Sequence, residues 1–406
     1  MTEQFSVCVR HRAGILCVLI SVALGAAAFA SAAGPAAPYV GVEAGPILLR
    51  PYANAAYRYE DNILRTPRSQ KTSSLAQTYA AGVDASMTGG YTRLLGAYGF
   101  RFQHVPLRDR ILKLYEHAAG VNGRRTMGER GSIGFDESFL YGSERKFSDD
   151  QRFLVYYRNV SGADFHAPVS PTLYVRGKAE WMLMRYQDSD VNQASRDEYS
   201  AEIGEGTEVG GYDRVAIVQA VKRVRYKASR SGSTELTVLA VYERYNDPIF
   251  TWKLSAGVSR RKWDSPPAGI SPVRLLPRYE AGLSYTPVTG RRLGITASRR
   301  FLESLQFDYY VSDELSASGQ VTSPGGAWSV STGGLVRRNV YGRSTQIGGL
   351  SAARRDDGAE ASVSGAYSGW WPLRLSATYR RHSRRSNFPS FNFDANATEL
   401  SLQAAF

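Results

Sequence analysis

Apolar and polar residues alternate with a period of two along most of this chain. Leu293, Ile295 and Ala297 alternate with Gly294, Thr296 and Ser298, and Tyr279, Ala281, Leu283 and Tyr285 alternate with Arg278, Glu280, Gly282 and Ser284. Leu373, Leu375, Ala377 and Tyr379 alternate with Arg374, Ser376, Thr378 and Arg380, and Tyr98, Phe100 and Phe102 with Gly99, Arg101 and Gln103. Successive side chains of a strand point to opposite faces, so each stretch predicts a strand with one apolar face. Strands are expected near 47–59, 75–88, 91–104, 110–121, 130–140, 152–164, 173–187, 197–209, 213–226, 234–245, 250–263, 275–286, 291–302, 305–320, 326–340, 357–369, 373–385 and 394–406. They number eighteen, with sixteen as the alternative.

The last of these strands sets the frame. Phe406, Ala404, Leu402, Leu400 and Thr398 share one face, and the strand runs to the chain's end on an aromatic ring. Chain ends usually fray, so a half-apolar strand here needs a pairing partner. It resembles the closing strand of a bacterial outer-membrane β-barrel, and that resemblance implies that Leu400, Leu402 and Phe406 serve as an insertion signal for the barrel-assembly machinery. Such barrels keep both termini and their short turns on the periplasmic side. Thr88-Gly89-Gly90, Asn246-Asp247-Pro248, Thr286 to Gly290 and Gly369 to Pro372 then fall on that side, and the polar stretches 60–74, 141–151, 187–196, 264–274 and 386–393 on the other. Segment 341–356 is expected to be an outer loop, because one extra strand there would invert every earlier turn.

At the other end, Arg10, His11 and Arg12 precede an apolar run from Ile15 to Phe29, followed by Ala30, Ser31 and Ala32. This predicts a signal peptide over 1–32, a short periplasmic segment over 33–46 and one barrel domain over 47–406. Cys8 and Cys17 are the only cysteines, so the mature chain carries no thiol. No later apolar run is long enough for a membrane helix. Strands carry no such run, since only alternate residues meet lipid, and the mean hydropathy of −0.31 agrees with that. Trp252, Trp263, Trp328, Trp370, Trp371, Tyr285 and Tyr379 lie near strand ends, where aromatic girdles are expected.

The formal charge is +13, and loss of the leader, with Arg10 and Arg12 against Glu3, lowers it to +12. Nearly all the excess is arginine, whose planar fork suits carboxylates and phosphates. If the apolar faces meet lipid, Arg101, Arg176, Lys178, Arg223, Arg225, Arg278, Arg374 and Arg380 face the lumen and give it an anion preference. Basic pairs at outer strand ends, among them Arg260-Arg261-Lys262, Arg337-Arg338 and Arg384-Arg385, suit lipopolysaccharide phosphates. The expected surroundings are therefore outer-membrane lipid, lipopolysaccharide and an anionic polymer, with no nucleic acid.

Catalytic chemistry finds little support. The mature chain has four histidines, His104, His117, His166 and His382, with no zinc-ligand spacing, and no Gly-x-Ser-x-Gly elbow between a strand and a helix. His382 and Ser383 are adjacent, which in a strand turns them to opposite faces. Asp61-Asn62 and Asp356-Asp357 lack the regular oxygen spacing of a calcium loop. No enzyme, cofactor or metal is expected.

The stretch Gly45-Pro46-Ile47 to Pro51, followed by Tyr57-Arg58-Tyr59-Glu60-Asp61-Asn62-Ile63-Leu64, resembles the first strand of the putative β-barrel porin 2 group and its EpsL-type members from exopolysaccharide loci. Tyr59, Asp61 and Asn62 carry the motif; Glu60 stands where that group commonly has Asp. Thr286-Pro287-Val288-Thr289-Gly290 is similar to its Pro-x-x-Gly periplasmic turn. The resemblance implies an outer-membrane pore or accessory barrel of polysaccharide export, without catalytic residues.

Overall fold

The computed structural model describes residues 41–108, 111–128, 130–144, 154–187, 194–227, 231–245, 247–266, 271–304, 309–347, 350–370 and 372–405. The expected signal peptide, Trp371 and Phe406 lie outside the described residues. The strands are β1 (Val42–Ala44), β2 (Ile47–Glu60), β3 (Ser74–Gly89), β4 (Thr92–Pro106), β5 (Ile111–Met127), β6 (Gly131–Glu144), β7 (Leu154–Pro168), β8 (Leu173–Tyr186), β9 (Arg196–Val209) and β10 (Asp213–Tyr226). They continue as β11 (Ser233–Arg244), β12 (Phe250–Trp263), β13 (Val273–Tyr285), β14 (Arg291–Leu302), β15 (Tyr310–Thr322), β16 (Trp328–Ile347), β17 (Leu350–Trp370), β18 (Leu373–Ser386) and β19 (Phe393–Ala405).

Strands β2 to β19 pair antiparallel in sequence order, and β19 pairs back onto β2, with Leu400 opposite Tyr57 and Ala397 opposite Glu60. The sheet is a closed eighteen-stranded barrel. Closure removes both edges, which is the condition for a sheet to sit in lipid. Within the segment expected to be periplasmic, β1 folds back along β2, Val42 facing Leu49.

The eighteen expected strands are all present, and one connection differs. Within 341–356, expected as a loop, residues 341–347 and 350–356 belong to β16 and β17, which are 20 and 21 residues long. They form one tall hairpin, paired from Trp328 and Tyr367 up to Ile347 and Leu350, with an irregularity between Val340 and Ser344. Above the lipid an outward residue has no need to be apolar, so Arg354-Arg355-Asp356-Asp357 carries no alternation although the ladder runs through it. No strand is inserted, and the direction of every other strand is unaffected.

Side chains from strands several places apart meet only on the concave face of a barrel. Arg176 on β8 reaches Glu243 on β11 at 3.4 Å, and Arg278 on β13 reaches Glu235 on β11 at 3.8 Å. That face is the lumen. The opposite face carries exposed Leu375, Leu400, Leu402, Ile217, Leu254, Ile295 and Phe135, a continuous apolar belt that in water would be an aggregation surface. A closed barrel with an apolar outer belt and a charged interior is an outer-membrane barrel.

Below the belt, Phe250 packs edge-on against Trp252 and Tyr285, at 5.2 and 6.1 Å between ring centres, and Tyr367 against Trp370 at 5.1 Å. Trp252, Tyr285 and Trp370 thus stand where the girdle is expected, with Phe250 and Tyr367 beside them. Trp263 departs from that expectation: it is 2 % exposed, in a cluster with Leu276, Phe301, Tyr309 and Val311. On the periplasmic side, the Asp247 carboxylate accepts the N–H groups of Ile249 and Phe250, both at 2.9 Å, and starts β12. Those bonds hold its carboxyl below the usual aspartate range. Gly290 closes the Thr286 turn with φ +84°, and a Cβ there would lie 2.7 Å from the Thr322 carbonyl oxygen, so the turn requires glycine.

Candidate functional site

The candidate site is the lumen, and its outer mouth is narrowed by segments that fold inward. After β2 the chain carries Ile63 onto Ala76, Val105 and Leu114, the inward faces of β3, β4 and β5. Beneath that cluster lies a cavity of about 240 Å³. Arg58, Arg101, Arg380 and His382 enter it from the wall, Arg65 from the first loop, and Glu60 is buried at 2 % exposure. Arg58 binds Glu60 at 2.7 Å and Arg101 binds Glu116 at 2.6 Å. No ion-pair or hydrogen-bond partner is found for the Arg380 side chain among the described residues. Four guanidinium groups around one small space, two of them paired with carboxylates, make this part of the lumen wall cationic.

A second inward segment follows β14. Glu303 receives Arg261 of β12 at 2.5 Å and the Tyr226 hydroxyl of β10 at 2.6 Å, which draws the chain across the inner surface of four strands. Both members of the ion pair are buried, Arg261 at 2 % and Glu303 at 4 % side-chain exposure. Burial pushes the Glu303 carboxyl up, the Arg261 guanidinium pulls it down, and the net position is below the ordinary glutamate range. Nearby, Glu198 bridges Arg196 at 2.6 Å and Lys222 at 2.5 Å. A third segment precedes β19: Phe391 lies 3.6 Å from the buried Arg354, which is paired with Asp356 at 2.5 Å, and Arg384 donates to the Phe391 carbonyl at 2.7 Å.

Six of the eight basic residues expected in the lumen lie on its face: Arg101, Arg176, Lys178, Arg278, Arg374 and Arg380. Lys178 pairs with Glu180 at 3.0 Å, and Arg278 also approaches the Thr237 hydroxyl at 3.4 Å. Arg223 and Arg225 are on the other face. They share the parity of Val215, Ile217 and Val221, which are exposed on the outer belt, and Arg223 binds Asp264 at 2.7 Å. On β10 both faces are apolar, because the inward Ala216 and Val218 pack with Tyr174 and Val241 inside the lumen. Alternation alone therefore left the face of this strand undetermined.

Pairing tempers the expected anion preference. Arg337 lies 3.0 Å from Glu360, and His382 Nδ1 lies 3.6 Å from the same carboxylate. A wider space of about 870 Å³ opens at the periplasmic end beside His166; there Arg214 binds Glu208 at 3.0 Å, Arg124 binds Asp164 at 2.7 Å, and Arg214 stacks 3.4 Å over Tyr245. His104 and His117 face outward, and Tyr98 O–H lies 3.0 Å from His117 Nδ1. Leu400 and Leu402 lie on the outer belt, at 56 % and 46 % exposure.

The motif residues Asp61 and Asn62 sit at the seam where the barrel closes. Asn396 gives both its main-chain N–H and its side-chain amide to the Asp61 carboxylate. Asn62, 0 % exposed, donates to the carbonyls of Thr66 and Asp394 at 2.7 and 2.9 Å and accepts from the Thr66 N–H at 3.1 Å. Tyr59 faces outward beside them. Their role here is to join the first loop to the last strand. Nothing in the local pattern marks Arg65, Glu303 and Phe391 as lumen residues, since inward folding of a loop depends on partners on other strands, 42 and 77 residues away for Glu303.

No protein-family model matches the chain, and no curated protein matches it by sequence. Among solved structures it is similar to OccK7 (OpdD) of Pseudomonas aeruginosa, at 13% identity, covering 89% of this chain and 99% of that one, with a TM-score of 0.45. A BenF-like porin from Pseudomonas fluorescens gives 9% identity, 89% and 99% coverage and a TM-score of 0.45. The FrpB iron transporter of Neisseria meningitidis gives 8%, 90% and 82%, and 0.47.

Proposed function

We propose that this porin-like outer-membrane barrel is a passive channel of polysaccharide export, admitting an anionic polysaccharide or smaller anionic solutes without chemical conversion. The observation that carries the reading is the cavity of Arg58, Arg65, Arg101 and Arg380 in the wall of the outer mouth. A guanidinium fork binds a carboxylate through two parallel hydrogen bonds, so such a cavity favours uronate-type sugars over neutral ones. An eighteen-stranded barrel is wide enough for an aqueous path. The assignment to polysaccharide export rests on the likeness of the Tyr59, Asp61 and Asn62 stretch to EpsL-type proteins.

Single-channel current through the purified protein tests this directly. An acidic oligosaccharide such as an oligogalacturonate is expected to interrupt the current at concentrations where a neutral oligomer of equal length does not. Arg101→Gln with Arg380→Gln is expected to abolish the difference. Equal block by both oligomers in the unaltered protein contradicts the proposal.

A second reading is favoured by the inward segments. The buried Arg261–Glu303 pair and the contacts of Arg354 and Arg384 with Phe391 hold chain inward at the mouth, as a structural barrel with no open path would require. Under that reading the unaltered protein conducts nothing, and conductance appears only when 303–309 is shortened.

A further inference from the structure

The outer surface of the barrel carries a second concentration of basic charge, distinct from the lumen. At and above the upper edge of the apolar belt, the outward faces of β8 to β12 present Arg185, Arg223, Arg225, Arg260 and Lys262. Two carboxylates answer these five cations: Asp197 is paired with Arg185, and Asp264 is held by both terminal nitrogens of Arg223 at 2.7 and 2.8 Å. Arg225, Arg260 and Lys262 are exposed and have no ion-pair or hydrogen-bond partner among the described residues. Arg225 leans over the outward ring of Tyr199 at 5.8 Å.

The register makes these residues one patch. Arg223 and Lys262 both face Thr234 across the β10–β11–β12 ladder, and Val221 and Arg260 both face Leu236. Strands one place removed lie about 10 Å apart, a span that two flexible basic side chains close around one phosphate group. Elsewhere on the outer face Arg299 is paired with Asp313 at 3.5 Å, Arg338 with Asp357 at 2.9 Å and Arg385 with Asp394 at 3.2 Å, so each of these three cations has a carboxylate of its own. Arg381 faces Ala361, six positions below Arg355, so those two do not cluster.

Arg260 lies level with Val221 and Leu236, and the rest of the patch stands above them and Val258; these three are 40 %, 48 % and 49 % exposed on the belt. A ligand there meets cations at its head and hydrocarbon along its length. We infer that Arg223, Arg225, Arg260 and Lys262 form a binding site for the phosphorylated headgroup of an outer-leaflet glycolipid, with the acyl chains lying along the outward faces of β10 to β12. A soluble phosphate meets only the first half of that description. The site explains why two arginines next to the membrane belt point away from the lumen.

Native mass spectrometry of the detergent-solubilised full chain tests the site, with bisphosphorylated lipid A and its dephosphorylated form as probes. The unaltered protein is expected to retain the bisphosphorylated lipid, and the triple substitution Arg225→Gln, Arg260→Gln, Lys262→Gln to weaken retention by about tenfold or more. Arg381→Gln on the opposite wall is expected to leave it unchanged, and Arg260→Lys to keep most of it. Each protein is first shown to be folded by its heat-modifiable mobility in gels. Should the triple variant not fold, the single variants Arg225→Gln and Lys262→Gln, compared with Arg381→Gln, give the same discrimination. Equal retention of the dephosphorylated lipid, equal retention by the charge-removing variants, or displacement of lipid A by equimolar inorganic phosphate overturns the proposal.

Discussion

Asp61 and Asn396 hold each other across the seam of the barrel. The Asn396 main-chain N–H and side-chain amide donate to the Asp61 carboxylate at 2.7 and 2.9 Å, and the Asp61 N–H returns a bond to the Asn396 carbonyl at 3.0 Å. Lys71 adds an ion pair at 3.2 Å. The first loop and the last strand are thereby fixed to each other where β19 stops pairing with β2.

Replacing Asp61 with Ala removes the acceptor of two bonds and leaves the Asn396 donors to find water. A loss of about 1–3 kcal/mol is expected, read as a lower urea midpoint for unfolding in detergent. An unchanged midpoint contradicts the seam's role.

The same carboxylate gives the seam a pH dependence. Burial pushes the Asp61 carboxyl up, but the Asn396 and Lys71 bonds outweigh it, and its net position is below the ordinary aspartate value. A lowered folded value contributes stability above the unfolded value, near pH 4, that is lost as pH falls through the folded value. Acid unfolding of the unaltered protein should therefore be steeper below about pH 4 than that of Asp61→Asn; parallel curves contradict the assignment.

Glu303→Gln tests the inward segment after β14. It leaves Arg261 buried with its charge uncompensated, a cost of about 3–5 kcal/mol if the segment stays in place. Release of the segment is the cheaper outcome, so single-channel conductance should rise while the barrel stays folded. Unchanged conductance places the constriction elsewhere.

The facing of β10 is open to a direct check. A fluorophore on Arg223→Cys should be quenched by brominated lipid and one on Lys222→Cys spared; the reverse result turns the strand over and returns Arg223 and Arg225 to the lumen.

The barrel was legible because lipid imposes a rule on every second residue. Leu373 to Tyr379 and Tyr279 to Tyr285 obey it, and the closing strand at Leu400 and Leu402 fixed the direction of all the others. The rule lapses in two places. Above the lipid, Arg354 to Asp357 continue a ladder with charge on both faces, so strand reads as loop. On β10, inward Ala216 and Val218 pack in the lumen as tightly as outward Ile217 meets lipid, so the faces look alike. The lumen's constriction was the least legible part. Ile63, Glu303 and Phe391 are ordinary loop residues in sequence, and become lumen residues only through partners on β3 to β5, β10, β12 and β17.

The central claim, an open basic path through the barrel, is tested most directly by reconstituting the folded protein in planar bilayers under a salt gradient. Stable ohmic steps with a reversal potential favouring chloride over potassium are predicted, and Arg380→Gln should move that potential toward zero. Folded protein that gives no steps, or steps that favour potassium, contradicts the account.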